Sequence, residues 1–570
     1  MRATRHLDPI SFGVIWDRMI ATVNEQVAAI LRTSFSPIVR EAQDLAAALF
    51  DTRGRMVCQP VTGTPGHINP LSQGVKNFLA ACPLKTLRPG DVLITNDPWL
   101  TTGQLLDVTV CVPIFKGSHP VALFACTCHM VDIGGYGPGA GGTDVYEEGF
   151  QIPITKLYRA GRPNEDLLRL LRQNVRSPEH FLGDLQSMRT SCYVGGAKLL
   201  AMMAEYDLSH IEDMADRILA RSEAAQRRAI ARLPKGRYTH TTMLDGVDEP
   251  VRLAAAVTVG ARDIAIDFAG SSPESRQGIN VVLNYTRGYA TYAIRAALAP
   301  EVPNNDGSMA PVHVTAPPGC ILNARPPAPT TGRHLVGMFV PLPVLGALAQ
   351  AAPDRVVAEG AGAVWCVELR GRRRGGRQFT LFLTVSGGMG ARPTKDGLNT
   401  TSFPSGIAGV PVEIWEVAAP IRVYRKAFRP DSGGPGRWRG GMGQTLEVSV
   451  AGEGDWMANM MLDRLRFAAE GYGGGGAGAV GEAALAAGGP LPGKGRVLLK
   501  PEARMILELP GGGGYGPPWE RDPELVREDV AQGFVTADRA RHVYGVTITP
   551  ALTVDAVETR RLREALAGTS

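Results

Sequence analysis

The chain has 570 residues, 44% hydrophobic and 20% charged, and at about 150 residues per domain it has room for three or four packed lobes. Its 68 Gly and 42 Pro have no Gly-X-Y period and lie between apolar segments, which excludes a collagen-like rod and wholesale disorder. Sixty basic against 55 acidic residues leave a net charge of +5, which argues for no nucleic-acid partner; the one basic cluster, Arg370–Arg377, reads as a solvated turn.

Eight Cys without a CxxC pair fit the reduced thiols of a cytoplasmic protein. At the start of the chain, Asp8 and Asp17 interrupt the apolar region that a signal peptide would need. Leu335–Pro353 is uncharged, but Pro341, Pro343, Gly337 and Gly346 make a buried core segment the better reading than a membrane span. No membrane association is expected.

In chain order, Val14, Ile15, Met19, Ile20, Val23, Val27, Ile30 and Leu31 recur at helical spacing and predict an N-terminal helix. Two apolar runs, Leu105–Phe115 and Val121–Cys128, are joined by Lys116-Gly117-Ser118-His119-Pro120 and predict a β-hairpin. Helices are expected from about Asn164 to Leu233, with Met188, Leu199, Leu200, Met202, Met203, Ile211, Met214 and Ile218 in the core. Strands follow at Val251–Val259, Asp263–Phe268 and Gln378–Val385. The Gly-dense tract Tyr472–Gly495 reads as an exposed loop or partly mobile insertion. Two short helices, Pro523–Ala531 and Thr536–Tyr544, close the chain. The fold class is α+β, in three regions: residues 1–235, with the hairpin and most helices; 236–450, strand-rich; and 451–570, Gly-rich with terminal helices.

Gly511-Gly512-Gly513-Gly514-Tyr515-Gly516 formally fits GxGxxG, but Pro517-Pro518 follows where a dinucleotide site needs a helix, so a structural turn is expected. There is no GxxxxGK[ST] loop, so any nucleotide chemistry belongs on another polypeptide. The hairpin carries more. A turn centred on Ser118 pairs residues whose numbers sum to about 236, which sets Asp107 opposite His129 at its open end. Asp132 lies three residues further on. A mixed carboxylate and imidazole cluster suits a divalent transition metal better than calcium, while a solvated salt-bridged hairpin end is the plainer alternative.

Thr95-Asn96-Asp97-Pro98-Trp99, Asp107-Val108-Thr109-Val110, His129-Met130-Val131-Asp132-Ile133-Gly134-Gly135 and Glu148-Gly149 resemble the hydantoinase B/oxoprolinase family. The resemblance continues in order through Asn174-Val175-Arg176, Pro303-Asn304-Asn305-Asp306-Gly307, Gly387-Gly388-Met389-Gly390-Ala391-Arg392 and Asp431-Ser432-Gly433-Gly434 to Gly512-Gly513-Gly514-Tyr515-Gly516. It implies a large multi-lobed fold with a helical N-terminal part and sheet-rich central and C-terminal parts.

It also implies a catalytic subunit that opens cyclic amides such as hydantoins, lactams or 5-oxoproline. Its partner would be a hydantoinase A-type ATPase subunit, which binds ATP and phosphorylates the small-molecule substrate, in a hetero-oligomer such as a dimer of heterodimers. Ketone carboxylation is the alternative within the same family. The family's divalent metal (Zn, Mn or Fe) maps onto Glu41, Gln104, Asp107 and His129, with His67 and Asp132 as candidates for proton transfer. Gln104 stands where the family pattern has His, and an amide oxygen is a much poorer ligand for such a metal. That departure raises a third reading, a non-catalytic scaffold.

Overall fold

A computed structural model describes residues 8–567. The first helix, Pro9–Thr33, starts where Asp8 accepts hydrogen bonds from the backbone N–H groups of Ile10 and Ser11, with Pro9 in the first turn. Ile15, Met19, Val23, Val27 and Ile30 of the expected stripe are buried, but Val14 is 44% exposed, because the buried face is narrower than the apolar pattern.

Seven strands form the largest sheet: β1 (Leu45–Phe50), β2 (Met56–Cys58), β3 (Val92–Thr95), β4 (Asp107–Lys116), β5 (His119–His129), β6 (Thr155–Arg159) and β7 (Arg162–Pro163). Their order is β2-β1-β5-β4-β3-β6-β7, so the hairpin β4–β5 lies at the centre and β1 flanks it antiparallel. Both faces of the hairpin are covered, which is why its strands read as continuous apolar runs rather than alternating ones. Helix Pro65–Ala81 covers one face through Ile68, Leu71, Val75 and Phe78. Helix Pro178–Glu205 covers the other at Gly195 and Gly196, where an added Cβ would lie 2.6 Å from Phe124 and 2.4 Å from Ile114. The helical N-terminal part implied by the resemblance is therefore built around a sheet. Helices Glu165–Asn174, Pro178–Glu205 and Glu212–Ala231 fill the stretch expected to be helical, and of its eight named core positions all but Leu200 are buried.

A second sheet, β8 (Gly236–Leu244), β9 (Val251–Val259), β10 (Ile264–Asp267) and β11 (Val312–Thr315), packs on helices Leu283–Leu298 and Pro341–Ala349. The uncharged stretch after Arg333 is thus core, and among the described residues no helix is long and apolar enough to cross a membrane. The remaining strands are β12 (Trp365–Arg372), β13 (Gln378–Val385), β14 (Ile421–Phe428), β15 (Gln444–Val450), β16 (Glu453–Met461), β17 (Glu482–Leu485), β18 (Lys494–Leu499) and β19 (Arg504–Glu508). They sort into two four-stranded sheets, β13-β12-β16-β18 and β14-β15-β19-β17. Segments before and after residue 450 share both sheets, so that position lies inside a packed unit.

The Gly-dense tract is a correction to the sequence reading. Its first part does not loop out, although residues 486–490 form an exposed turn. Residues 471–478 pack backbone against backbone on Gly434–Gly436 and Gly511–Gly514, joined by N–H to carbonyl bonds such as Gly434 to Gly512, Gly514 to Gly476 and Gly512 to Gly441. Only glycine allows such layers: a Cβ on Gly440 would lie 1.9 Å from the Gly512 oxygen. The GxGxxG look-alike belongs to this stack, and no α-helix opens after it; a three-residue turn, Pro518–Glu520, follows.

Candidate functional site

The hairpin brings Asp107 opposite His129, with His129 Nδ1 3.0 Å from Asp107 Oδ1. β1 extends the ladder on the other side: Leu45 pairs with Cys128, and the His129 N–H donates to the Asp44 carbonyl at 3.1 Å. His67 comes from the first turn of helix Pro65–Ala81, its Nε2 3.0 Å from Asp107 Oδ2 and its Nδ1 3.5 Å from Asp44 Oδ1. The Gln104 amide nitrogen lies 2.6 Å from Asp107 Oδ1 and 2.9 Å from His129 Nδ1.

A guanidinium completes the cluster. Arg333 pairs through Nη2 with Asp107 Oδ2, donates from Nε to the Thr102 carbonyl at 2.7 Å, and lies over the Tyr285 ring, 4.1 Å from its centroid. Gly103 makes room for it, with φ +96° and a hypothetical Cβ 2.9 Å from Arg333 Cδ. Asp44, His67, Gln104, His129, Tyr285 and Arg333 line a cleft with Thr64, His334, Met338 and Phe382, where the two largest hydrophobic cores meet, and Asp107 lies buried behind them. About 40 Å³ of the cleft admits the centre of a water-sized sphere, room for a few waters. A ring substrate would need its apolar walls to part.

Burial would raise the Asp107 carboxyl, but the charges of Arg333 and His67 and the imidazole hydrogen bonds hold it well below the ordinary carboxylate range. Burial would likewise lower His67; Asp107 and Asp44 outweigh it and raise the ring's pKa. His334 has no such partner, and burial, with Arg333 beside it, drives it down to about 3, so it is a neutral imidazole. Two buried ring nitrogens, His67 Nδ1 and His334 Nε2, have no hydrogen-bond partner.

Of the residues singled out from the sequence, Gln104, Asp107, His129 and His67 meet in this cleft. Glu41 does not line it. Its carboxylate is 2.8 Å from Arg40 Nε at the end of the short helical turn Pro37–Arg40, and Asp44, three residues on, stands at the site instead. Asp132 also serves elsewhere: it receives the Arg176 backbone N–H and guanidinium and the Gly134 N–H, tying the loop after β5 to the end of helix Glu165–Asn174. Asp44, Arg333 and His334 were not anticipated. Asp44 was legible as the residue ahead of an Ala-rich strand that extends the hairpin; Arg333-His334, as a polar pair at the edge of a long uncharged core segment.

The donor set expected for a divalent metal does not fit this arrangement. Glu41 does not line the cleft and pairs with Arg40, Gln104 presents an N–H donor rather than its oxygen, and both Asp107 oxygens are engaged. Among the described residues, no group of three or more His, Cys, Asp or Glu is arranged to hold a metal ion.

An antiparallel hairpin at the centre of a seven-stranded sheet presents a buried carboxylate–imidazole pair within a large α+β fold of four sheets. Residues 8–518 match the Hydantoinase B/oxoprolinase family model, and the chain belongs to that family. It is 30% identical to a Pseudomonas sp. (strain NS671) protein named as the B-type subunit of a D-/L-hydantoinase, over 98% of each chain. It is also 30% identical to the beta chain of the Pseudomonas jessenii caprolactamase, over 95% of this chain and 96% of that one. The crystal structure of the ATP-dependent caprolactamase from that organism superposes with a TM-score of 0.88 at 26% identity, over 98% of this chain and 100% of the other. A nucleotide-free acetone carboxylase superposes equally well, TM-score 0.88, over 99% and 84% of the two chains; at 19% identity that likeness concerns the fold alone.

Proposed function

We propose that this chain is the catalytic subunit of an ATP-dependent cyclic amide hydrolase, acting on hydantoin-, lactam- or 5-oxoproline-type rings with a hydantoinase A-type ATPase subunit. Family membership and near full-length similarity to a caprolactamase chain support this reading. So does the absence of a phosphate-binding loop from the sequence, which leaves ATP to the partner. Eight free thiols, seven of them buried, suit a cytoplasmic assembly.

The observation that carries the reading is the buried Asp107–His129 pair at the head of a cleft that also offers the unpartnered Nε2 of His334. Once the partner has phosphorylated the ring carbonyl oxygen, water adds to that carbon. With Nδ1–H donating to Asp107, His129 keeps Nε2 as its free acceptor and takes the water's proton. Collapse of the adduct breaks the ring C–N bond and the nitrogen leaves with a proton. The acyl phosphate so formed is hydrolysed by a second water to carboxylate and phosphate. Arg333 supplies a fixed positive charge where negative charge develops. His334, neutral, offers a hydrogen bond to the amide without competing for that charge.

The test is to reconstitute the full chain with the ATPase subunit and to screen ATP turnover against cyclic amides. Turnover stimulated by a ring, with its open-chain acid as product, is expected. Turnover that needs bicarbonate and a ketone, or that ignores every ring, would overturn the reading in favour of a carboxylase or a non-catalytic scaffold.

A further inference from the structure

Asp107 is completely buried, and its two oxygens carry four polar contacts: Gln104 and His129 on Oδ1, His67 and Arg333 on Oδ2. Four is about what an ionised carboxylate accepts. Gln104 cannot be turned round, because an amide oxygen 2.6 Å from Oδ1 would face an acceptor with an acceptor. Its NH2 group is therefore what meets Asp107, and the same nitrogen reaches His129 Nδ1 at 2.9 Å. Arg333 is fixed on three sides, by Asp107, by the Thr102 carbonyl and by the Tyr285 ring. A guanidinium stays charged in any protein environment.

We propose that Arg333 and Gln104 together take the charge and the space that a divalent cation would take against Asp107, so that this centre works without a metal, its cation built into the chain. Asp107 needs a positive partner to be buried as an anion, and Arg333 is that partner. A divalent ion brought to the same carboxylate would have to displace a hydrogen-bond donor and sit beside a permanent like charge. Gln104 closes the remaining approach by donating an N–H to Asp107 Oδ1, its nitrogen packed against His129. The pair acts jointly: restoring an imidazole by Gln104→His leaves Arg333 in place and does not open the site. What the centre offers a bound molecule is a monovalent cation with directional N–H donors, suited to an oxygen of a phosphate or carboxylate. This inference holds whichever ring is the substrate.

The full-length wild-type chain, the Gln104→His variant and the Gln104→His/Arg333→Gln double variant, each stripped with chelator, are incubated with Zn2+ or Mn2+, desalted and analysed for bound metal by mass spectrometry. Co2+ absorption bands give a second readout of the ligand set. Wild type and the single variant are expected to retain only substoichiometric metal. The double variant is expected to approach one ion per chain, with affinity at least about 10-fold above wild type, the smallest loss usually seen when even an outer partner of a metal site is removed. Near-stoichiometric metal in wild type, lost in His129→Ala, would overturn the proposal, and that reading needs no folded double variant. A folded double variant that takes up no metal would also overturn it.

Discussion

Asp107 lies directly opposite His129 across β4 and β5, and the same carboxylate neutralises Arg333 from the far side of the cleft. Removing its charge therefore strands a buried guanidinium. Asp107→Asn should destabilise the fold by about 3–5 kcal/mol, the usual result of breaking a buried ion pair from one side. Denaturant melts of the two proteins measure this directly; a loss under about 1 kcal/mol, the range of surface ion pairs, would mean that Arg333 finds its counter-charge elsewhere.

The glycine layers make the opposite demand from the glycine in the first helix. Gly440→Ala puts a methyl 1.9 Å from the Gly512 carbonyl, a backbone atom that cannot swing aside, and should prevent stable folding. Gly13→Ala adds a methyl with nothing within 4 Å and should stabilise helix Pro9–Thr33 by up to about 1 kcal/mol. Thermal melts of both variants check the contrast, and a well-folded Gly440→Ala protein would show that the layers can part to admit a side chain.

Glu148 gives the fold a pH signature. Burial pushes its carboxyl up to about 7, although the Thr330 and Thr331 backbone N–H groups, bonded to it at 2.6 and 2.7 Å, pull the other way. Unfolded, it titrates near 4.5, so folding takes up a proton between the two values. Its contribution to stability is complete below 4.5 and is lost as pH rises through 7, by on the order of 3 kcal/mol. Glu148→Gln should flatten the fall in stability across that window. Parallel pH profiles for wild type and variant would contradict the assignment.

The hairpin shows how much of the site the sequence carried. A turn centred on Ser118 implied pairs summing to 236; the chain turns instead at Gly117-Ser118, with Lys116 opposite His119. A register shift between Ile114 and Phe115 adds the missing residue, so Asp107 still meets His129. That pairing was legible because strand register is arithmetic once two apolar runs and a short joint are recognised. The pairing of Arg333 with Asp107 was not, because it spans 226 residues, and no local period reports such a contact. Glu41 and Asp44 stand three residues apart with a left-handed Gln43 (φ 56°) between them, and of the two only Asp44 lines the cleft. The Gly-rich tract misled because glycine density reads as loop; the actual use of residues 471–478, letting backbones touch, depends on partners such as Gly511, Gly514 and Pro435, distant in sequence.

The central claim is that the Asp107–His129 pair opens a ring that the partner subunit has activated. The most direct measurement compares ring opened with ATP consumed in complexes reconstituted with wild-type chain and with His129→Gln. With wild type the two should rise together, and neither should occur with this chain alone. With His129→Gln, ring opening should fall by about 10²- to 10⁴-fold, the usual loss of a positioned general base. Unchanged ring opening by the His129→Gln complex would contradict the account.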